Sequence, residues 1–384
     1  MTRRLRLGMV GGGQGAFIGA VHRIAARLDD HYELAAGAFS ADPQRSRASA
    51  EALRVAPDRT YESFAAMAEA EAGREGGIDV VSIVTPNHVH HAAARAFLDR
   101  GIPVICDKPM TTGLADARDL RAKVAASGLP FVLTHNYTGY PMAREARELV
   151  RAGALGAVRV VQVEYAQDWL TDAVEETGHK QAQWRTDPAR SGPAGSVGDI
   201  GTHAHNLAEF VTGLKVDAVA ADLTAFAPGR RLDDNAHMLL RLEGGAKGAL
   251  WCSQVAPGHE NGLRLRVYGE RGGIEWRQEH PNQLTMAEPG QPPRVLFRGG
   301  RGLSEAAVRA ARVPSGHPEG YLEAFAQIYT DAAELVWAWK DRRPPDPAVA
   351  GMVPGVEAGV RGVAFIAAAV ASSGRDAAWT RIEA

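Results

Sequence analysis

The stretch Gly198-Asp199-Ile200-Gly201-Thr202-His203-Ala204-His205-Asn206 sets a carboxylate and an imidazole four residues apart. If a helix begins near Asp199, then Asp199 and His203 share a face, with Asn206 one turn further along it. The carboxylate can then orient the imidazole and raise its basicity. His203 could take a proton from a substrate hydroxyl as hydride leaves the same carbon. Aspartate at a helix start is also a common N-cap, and His205, two residues on, points to another side and reads as structural. A second group, Cys106-Asp107-Lys108-Pro109, closes an apolar run. Lys108 could donate a hydrogen bond to a substrate oxygen and stabilise an alkoxide, with Pro109 fixing the backbone, in cis if the turn requires it. A solvated lysine before an ordinary turn proline is the competing reading. Asp199, His203 and other histidines could converge on a metal, but their spacing is no recognised ligand pattern, so none is expected.

Such side chains need strands and helices to aim them. Leu5 to Val10 is an apolar run that passes directly into Gly11-Gly12-Gly13-Gln14-Gly15-Ala16. A buried strand turning through glycines into a helix brings backbone N–H groups close to a pyrophosphate. Gly11, Gly13 and Ala16 fit the G-x-G-x-x-G/A spacing, and Gln14, Gly15, Phe17 and Ile18 complete the candidate contacts of the loop. Tight strand-to-helix turns need glycine whether or not a nucleotide binds. Further strands at Tyr32 to Phe39, Ile78 to Val84, Pro103 to Cys106 and Pro130 to Thr134 alternate with helices through Leu28 and at Glu62 to Ala72, His88 to Arg100 and Leu114 to Ser127. That alternation predicts a parallel, doubly wound Rossmann sheet over residues 1–134. Thr85-Pro86-Asn87 and His90 would then face the cofactor from a strand end, though a turn capping the next helix reads equally well. At the end of the second strand, Ser40 and Arg45 could hold a 2′-phosphate while Asp42 could reach a ribose. NAD and NADP both stay open, with a lean to NADP.

Beyond residue 134 strands follow one another directly. Val158 to Tyr165, Asp217 to Phe226, Ala236 to Leu242, Lys247 to Gln254 and Leu263 to Tyr268 have strand character, and Glu243-Gly244-Gly245 reads as a hairpin turn. Residues 135–384 are therefore expected to form an α+β domain with a large, open, mostly antiparallel sheet. Helices at Tyr140 to Ala152, Gly201 to Val211, Tyr321 to Lys340 and Val356 to Val370 would cover one sheet face. The other face argues for a homodimer or homotetramer through this sheet. Glu279 to Val313 reads as an irregular excursion.

With 384 residues, a net charge of −2 and 45% hydrophobic residues, the chain has material for two cores and no basic surface for nucleic acid or acidic lipid. Two separated cysteines, Cys106 and Cys252, indicate neither a disulfide framework nor a thiolate zinc site, which suits a cytoplasmic protein. The basic start is followed by too short an apolar run for a signal peptide, and no run approaches membrane-spanning length.

Taken together, the glycine loop, Thr85-Pro86-Asn87, Asp107-Lys108-Pro109 and Asp199-Ile200-Gly201-Thr202-His203 resemble, in order and approximate spacing, the family of glucose-fructose oxidoreductase, inositol 2-dehydrogenase and the rhizopine-catabolism oxidoreductases. The resemblance covers nearly the whole chain. It implies Lys108, Asp199 and His203 as the catalytic set, Pro109 in cis beneath a nicotinamide, and Asn136, Trp184 and Arg185 near nicotinamide and substrate. Tyr137, Tyr165 and Asp168 join Lys108, Asp199 and His203 as candidate substrate contacts. Two departures stand out: the glycine loop is about three residues longer before His22, and Asp107 replaces the more frequent glutamate. The expected activity is NAD(P)-dependent hydride transfer at a hydroxyl or carbonyl carbon of a sugar, cyclitol or related polyol. A hydrolase or lyase that uses bound NAD transiently, and a nucleotide-binding sensor without catalysis, are the alternatives. Which polyol, and in which direction, is not written in these residues.

Overall fold

The computed structural model describes residues 3–384, which divide by their contacts into two compact units. The first comprises residues up to 111, 115–136 and 321–360. Its sheet holds β1 (Leu5–Gly11), β2 (Tyr32–Ala38), β3 (Val80–Val84), β4 (Val104–Cys106) and β5 (Phe131–Leu133), all parallel, in the order β2-β1-β3-β4-β5. Every residue of β3 is buried, as expected for a strand covered on both faces. Helices α1 (Phe17–Leu28), α2 (Pro43–Ala52), α3 (Phe64–Gly73), α4 (His90–Leu98) and α5 (Leu114–Ser127) complete the alternation. Strand order reverses between β1 and β3, and such a switch point opens a crevice at the strands' carboxyl ends. The glycine turn and Thr85-Pro86-Asn87 lie there.

One expected assignment is corrected. Besides α11 (Tyr321–Lys340), which had been placed on the second domain's sheet, the first unit takes in the short α12 (Pro347–Ala350). Phe325, Ile328, Tyr329 and Val336 of α11 pack with Leu5, Leu7, Val80, Ile105 and Val132 of the parallel sheet. A parallel sheet needs both faces covered, and periodicity shows that a helix has an apolar face without showing which sheet that face meets.

The second unit comprises residues 112–114, 137–320 and 361–384. Its nine strands are β6 (Val158–Ala166), β7 (Val216–Thr224), β8 (Asn235–Leu242), β9 (Lys247–Ser253), β10 (Gly262–Gly269), β11 (Gly273–Arg277), β12 (Gln283–Ala287), β13 (Arg294–Phe297) and β14 (Thr380–Arg381). They run in the order β13-β12-β11-β10-β6-β9-β8-β7-β14, antiparallel except for the β6–β9 pair. Residues 279–313 are not the irregular excursion expected, because β12 and β13 extend the sheet there and α10 (Glu305–Ala310) follows. Leu284 and Met286 alternate into the core, and the prolines and glycines that suggested a loop mark only the turns between strands. The remaining helices are α6 (Pro141–Arg151), the short α7 (Lys180–Arg185) and α8 (Pro188–Ser191), α9 (Thr202–Thr212) and α13 (Val356–Ser373), which counts with the second unit from Arg361 onward. By length and composition α13 could cross a membrane, but more than half of it is buried in the fold.

Candidate active site

In the first unit, β1 ends in a turn that only glycine tolerates well: Gly11, Gly12 and Gly15 have φ of 82°, 71° and 76°. A Cβ on Gly19 would lie 2.3 Å from the Gly12 Cα, so helix α1 packs directly on the turn's backbone. Close packing of helix on turn therefore falls at Gly19 and not at Ala16. Arg23 Nη1 steadies the turn through the Gly12 carbonyl at 2.6 Å, and the Gly13 N–H reaches the Phe39 carbonyl at 3.2 Å. The Gln14 N–H donates to Ser49 Oγ. No side chain caps α1, which leaves the N–H groups at Phe17 and Ile18 for an anion. The turn and uncapped helix start thus fit a dinucleotide's pyrophosphate. At the end of β2, Asp42 Oδ1 accepts the N–H groups of Gln44 and Arg45, so it caps α2, a helix the strand-end reading had not placed. Ser40 Oγ accepts the Asp42 N–H.

The ends of β3 and β4 are pinned from beneath. His90, fully buried, sets Nε2 2.9 Å from the Thr85 carbonyl and Nδ1 2.8 Å from that of Pro109. It therefore braces the two candidate segments and is not itself presented to a ligand. Burial draws its pKa down, against Asp107 and the two carbonyls. The Lys108–Pro109 bond is cis. Asp107 Oδ1 accepts the Lys108 N–H at 2.9 Å and the Thr134 hydroxyl at 2.8 Å, fixing the backbone that carries the lysine. His22 Nε2 lies 4.0 Å from that oxygen, while Nδ1 meets Tyr329 Oη at 2.7 Å and Ser82 Oγ stands 2.9 Å from the same hydroxyl. Burial pushes the His22 pKa to about 4, so the ring is neutral at pH 7. Asn87 and Asn136 are both nearly buried at the turns they open. Burial also raises the Cys106 thiol, leaving no thiolate nucleophile there.

The second unit carries the other candidates. Asp199 sits in a single π-helical turn, Val197–Gly201, and α9 proper begins at Thr202, three residues later than a helix started at Asp199. Such turns recur at functional positions. Asp233, a buried carboxylate, holds the segment: it accepts the Gly195 N–H at 2.7 Å, the Ser196 hydroxyl at 2.7 Å and the Val197 N–H at 2.9 Å. Burial raises the Asp233 pKa, and these donors oppose the shift. Asp199 Oδ2 accepts from Gln254 Nε2 at 2.9 Å and lies 3.3 Å from Arg185 Nε, whose guanidinium covers the Trp184 ring at 4.2 Å. The His203 ring is 7% exposed and stands edge-on to Tyr137, centroids 4.8 Å apart, with Tyr165 at 6.4 Å. The Tyr137 and Tyr165 hydroxyls meet each other in a very short contact. Asp168 instead shapes a turn, taking the Thr171 hydroxyl on its carbonyl and the Gly258 N–H on its carboxylate. His205 stacks on Phe365 at 4.3 Å, the structural place expected for it.

Lys108 thus belongs to the first unit, and Asp199, His203, Tyr137 and Tyr165 to the second. Gly12, Gly19, Ser82, Tyr329, Asp233 and Gln254 were not singled out from sequence. Gly19, three residues before His22, carried a signal in its spacing; the others become visible only as contacts. Among the described residues no cluster of histidine, cysteine and carboxylates suits a metal.

Residues 5–137 match the oxidoreductase family with an NAD-binding Rossmann fold, and residues 143–275 match the GFO/IDH/MocA C-terminal domain. The chain is 33% identical to the oxidoreductase YfiI of Bacillus subtilis (strain 168), over all of this chain and 98% of that one. A solved oxidoreductase from Sinorhizobium meliloti superposes with a TM-score of 0.90 at 54% identity, covering 98% of this chain and 99% of that one. An inositol dehydrogenase homolog from Azotobacter vinelandii, solved with NADH and myo-inositol, gives 0.92 at 36% identity, covering 99% and 98%.

Proposed function

The chain belongs to the Gfo/Idh/MocA family of NAD-binding oxidoreductases, and from that premise we propose that it is a dehydrogenase acting on a CH–OH carbon of a cyclitol, sugar or related polyol. The observation that carries this reading is the His203 imidazole, set edge-on to Tyr137 with Tyr165 tilted beside it, and Asp199 in the turn before it. A ring so placed can accept the proton of a substrate hydroxyl. Asp199, itself held by Gln254 and Arg185, supplies the negative charge that favours the imidazolium. Lys108, its backbone fixed through Asp107, carries the ammonium that would stabilise a substrate oxygen as it becomes an alkoxide. A bound nicotinamide supplies the hydride acceptor. Gly11 to Ile18 would hold its pyrophosphate, Ser40 and Arg45 a 2′-phosphate where NADP is the cofactor, and Thr85 to Asn87 with Asn136 the nicotinamide end; in the second unit Trp184 and Arg185 are candidate contacts of nicotinamide or substrate.

The Azotobacter vinelandii structure with myo-inositol supports the cyclitol side of the substrate class. An acid–base pair also favours catalysis over a sensor role, since a pure binding module has no use for one. Assembly as a dimer or tetramer through the open sheet face, in the cytoplasm, belongs to the same proposal. The test is a cofactor-reduction screen of cyclitols and sugars with NAD and NADP, followed by His203→Ala on the best substrate. Turnover should fall about 100- to 10,000-fold with the dissociation constant for cofactor unchanged. An equal loss of cofactor binding would remove the proton-acceptor role, and tight cofactor binding without turnover of any polyol would bring the sensor reading forward.

A further inference from the structure

At one end of the nine-stranded sheet, where β6 and β11 finish and β10 begins, side chains outside the acid–base set form a chain of hydrogen bonds whose direction is fixed. It starts at Trp169, whose indole N–H can only donate. Trp169 Nε1 donates to Gln167 Oε1 at 3.0 Å, so the Gln167 amide must turn its NH₂ the other way. That NH₂ donates to Asn261 Oδ1 at 2.9 Å, which makes Oδ1 an acceptor. Tyr165 Oη lies 2.7 Å from the same Oδ1 and can only donate to it. A phenol has one proton, so Tyr165 must accept in its contact with Tyr137, and Tyr137 must donate. The far side of the Asn261 amide agrees: Nδ2 donates to Gln278 Oε1 at 2.8 Å and approaches Tyr137 Oη at 3.4 Å. Gln278 Nε2 in turn donates to Tyr140 Oη at 3.1 Å, and the Tyr140 ring is stacked parallel on that of Tyr137. Asn261 itself is anchored by its backbone N–H to Glu279.

Every proton on the two tyrosines beside His203 is therefore committed inside the network. We propose that Trp169, Gln167 and Asn261 are specificity-determining residues: they hold Tyr137 and Tyr165 as hydrogen-bond acceptors, so the site selects a substrate that presents a free hydroxyl as donor next to the carbon being oxidised. This deepens the dehydrogenase reading and rests on it. A group that can only accept, such as fluorine in place of that hydroxyl, meets lone pairs on both tyrosines and is rejected, because a site built around one polarity pays for the wrong one with unpaired polar atoms.

The experiment compares the best polyol of the screen, oxidised with NAD, with its monodeoxy-monofluoro analogues. In the wild-type protein one fluoro position should lower kcat/KM about 10- to 100-fold, mainly through KM. Gln167→Glu removes the donor, frees the Asn261 amide to turn over and lets the tyrosine protons reverse; Trp169→Phe unlocks the Gln167 amide by deleting a single N–H. Both variants should bring that ratio below about threefold, and unchanged discrimination in both would overturn the proposal. A neutron structure of the deuterium-exchanged protein decides hydroxyl polarity without any substrate. Deuterons on Tyr165 toward Asn261 and on Tyr137 toward Tyr165 are expected, and the reverse arrangement refutes the relay. Failure of every polyol to reduce cofactor would instead sink the dehydrogenase reading and leave the neutron result to judge the network alone.

Discussion

The candidate residues of the first unit are held by backbone, whereas those of the second are held by side chains. Asp107 Oδ1 accepts the backbone N–H of Lys108, the His90 ring lies between two backbone carbonyls, and the glycine turn is shaped by direct backbone contact with α1. In the second unit, Asp199 leans on Gln254 and Arg185, and Tyr165 on Asn261, partners 55, 14 and 96 residues away. Backbone-built sites leave a local trace in the sequence because particular residue types must stand at particular steps of the chain. Networks of side chains leave none, since any polar residue that arrives from elsewhere can serve.

The sharpest way to break this contrast is Asp233→Ala, which strips three donors of their shared acceptor beneath the turn of Asp199. Leaving them buried and unpaired should cost about 3–5 kcal/mol, read as a lower denaturation midpoint, with Asp233→Asn recovering part of the loss. If Asp233→Ala costs less than about 1 kcal/mol, the turn is not held by that carboxylate. Next in size is Gly19→Ala in the first unit. Its methyl would meet the Gly12 backbone at 2.3 Å, so about 1–3 kcal/mol of stability should go together with at least tenfold in affinity for NAD, measured by calorimetry. Gly198→Ala is the control, because the nearest atom to its Cβ is 3.8 Å away.

The smallest effect concerns pH. His22 has a folded pKa of about 4 against an ordinary value of 6.5, so the unfolded chain takes up the proton first as pH falls. Stability from the neutral ring is present above pH 6.5 and is lost as pH drops toward 4. Between pH 7 and pH 5 the loss amounts to about 2 kcal/mol. Urea titrations at pH 7, 6 and 5 should show that slope in the wild-type protein and a flatter one in His22→Gln. Parallel slopes would mean that the His22 ring is not buried in neutral form.

Much of the first unit was legible because its signals are local. An apolar strand followed by glycines, and polar clusters at the ends of apolar runs, mark a parallel sheet and its ligand side, and the Asp-x-Gly-x-His spacing pointed to the candidate residues Asp199 and His203 of the second unit. Even there the reading slipped by a few residues at Gly19, because a packing contact between the turn and α1 decides which glycine is indispensable. The segment 279–313 was misjudged for a related reason: turn residues are easy to see, and the short strands between them are confirmed only by their neighbours.

By itself the sequence determined the alternation of strands and helices in the first unit, the two sheet types, and which local clusters of polar residues and glycines stand at strand and helix ends, since each depends on periodicity or on spacing within a few turns of chain. Only the tertiary structure decided that α11 covers the parallel sheet, that Tyr329 closes over His22, and that Asp233 and Asn261 set the posture of groups they are not adjacent to in the chain. Those pairings depend on which surfaces exclude water together and which buried donors find an acceptor, and both are settled by packing across long separations rather than by any local run of residues.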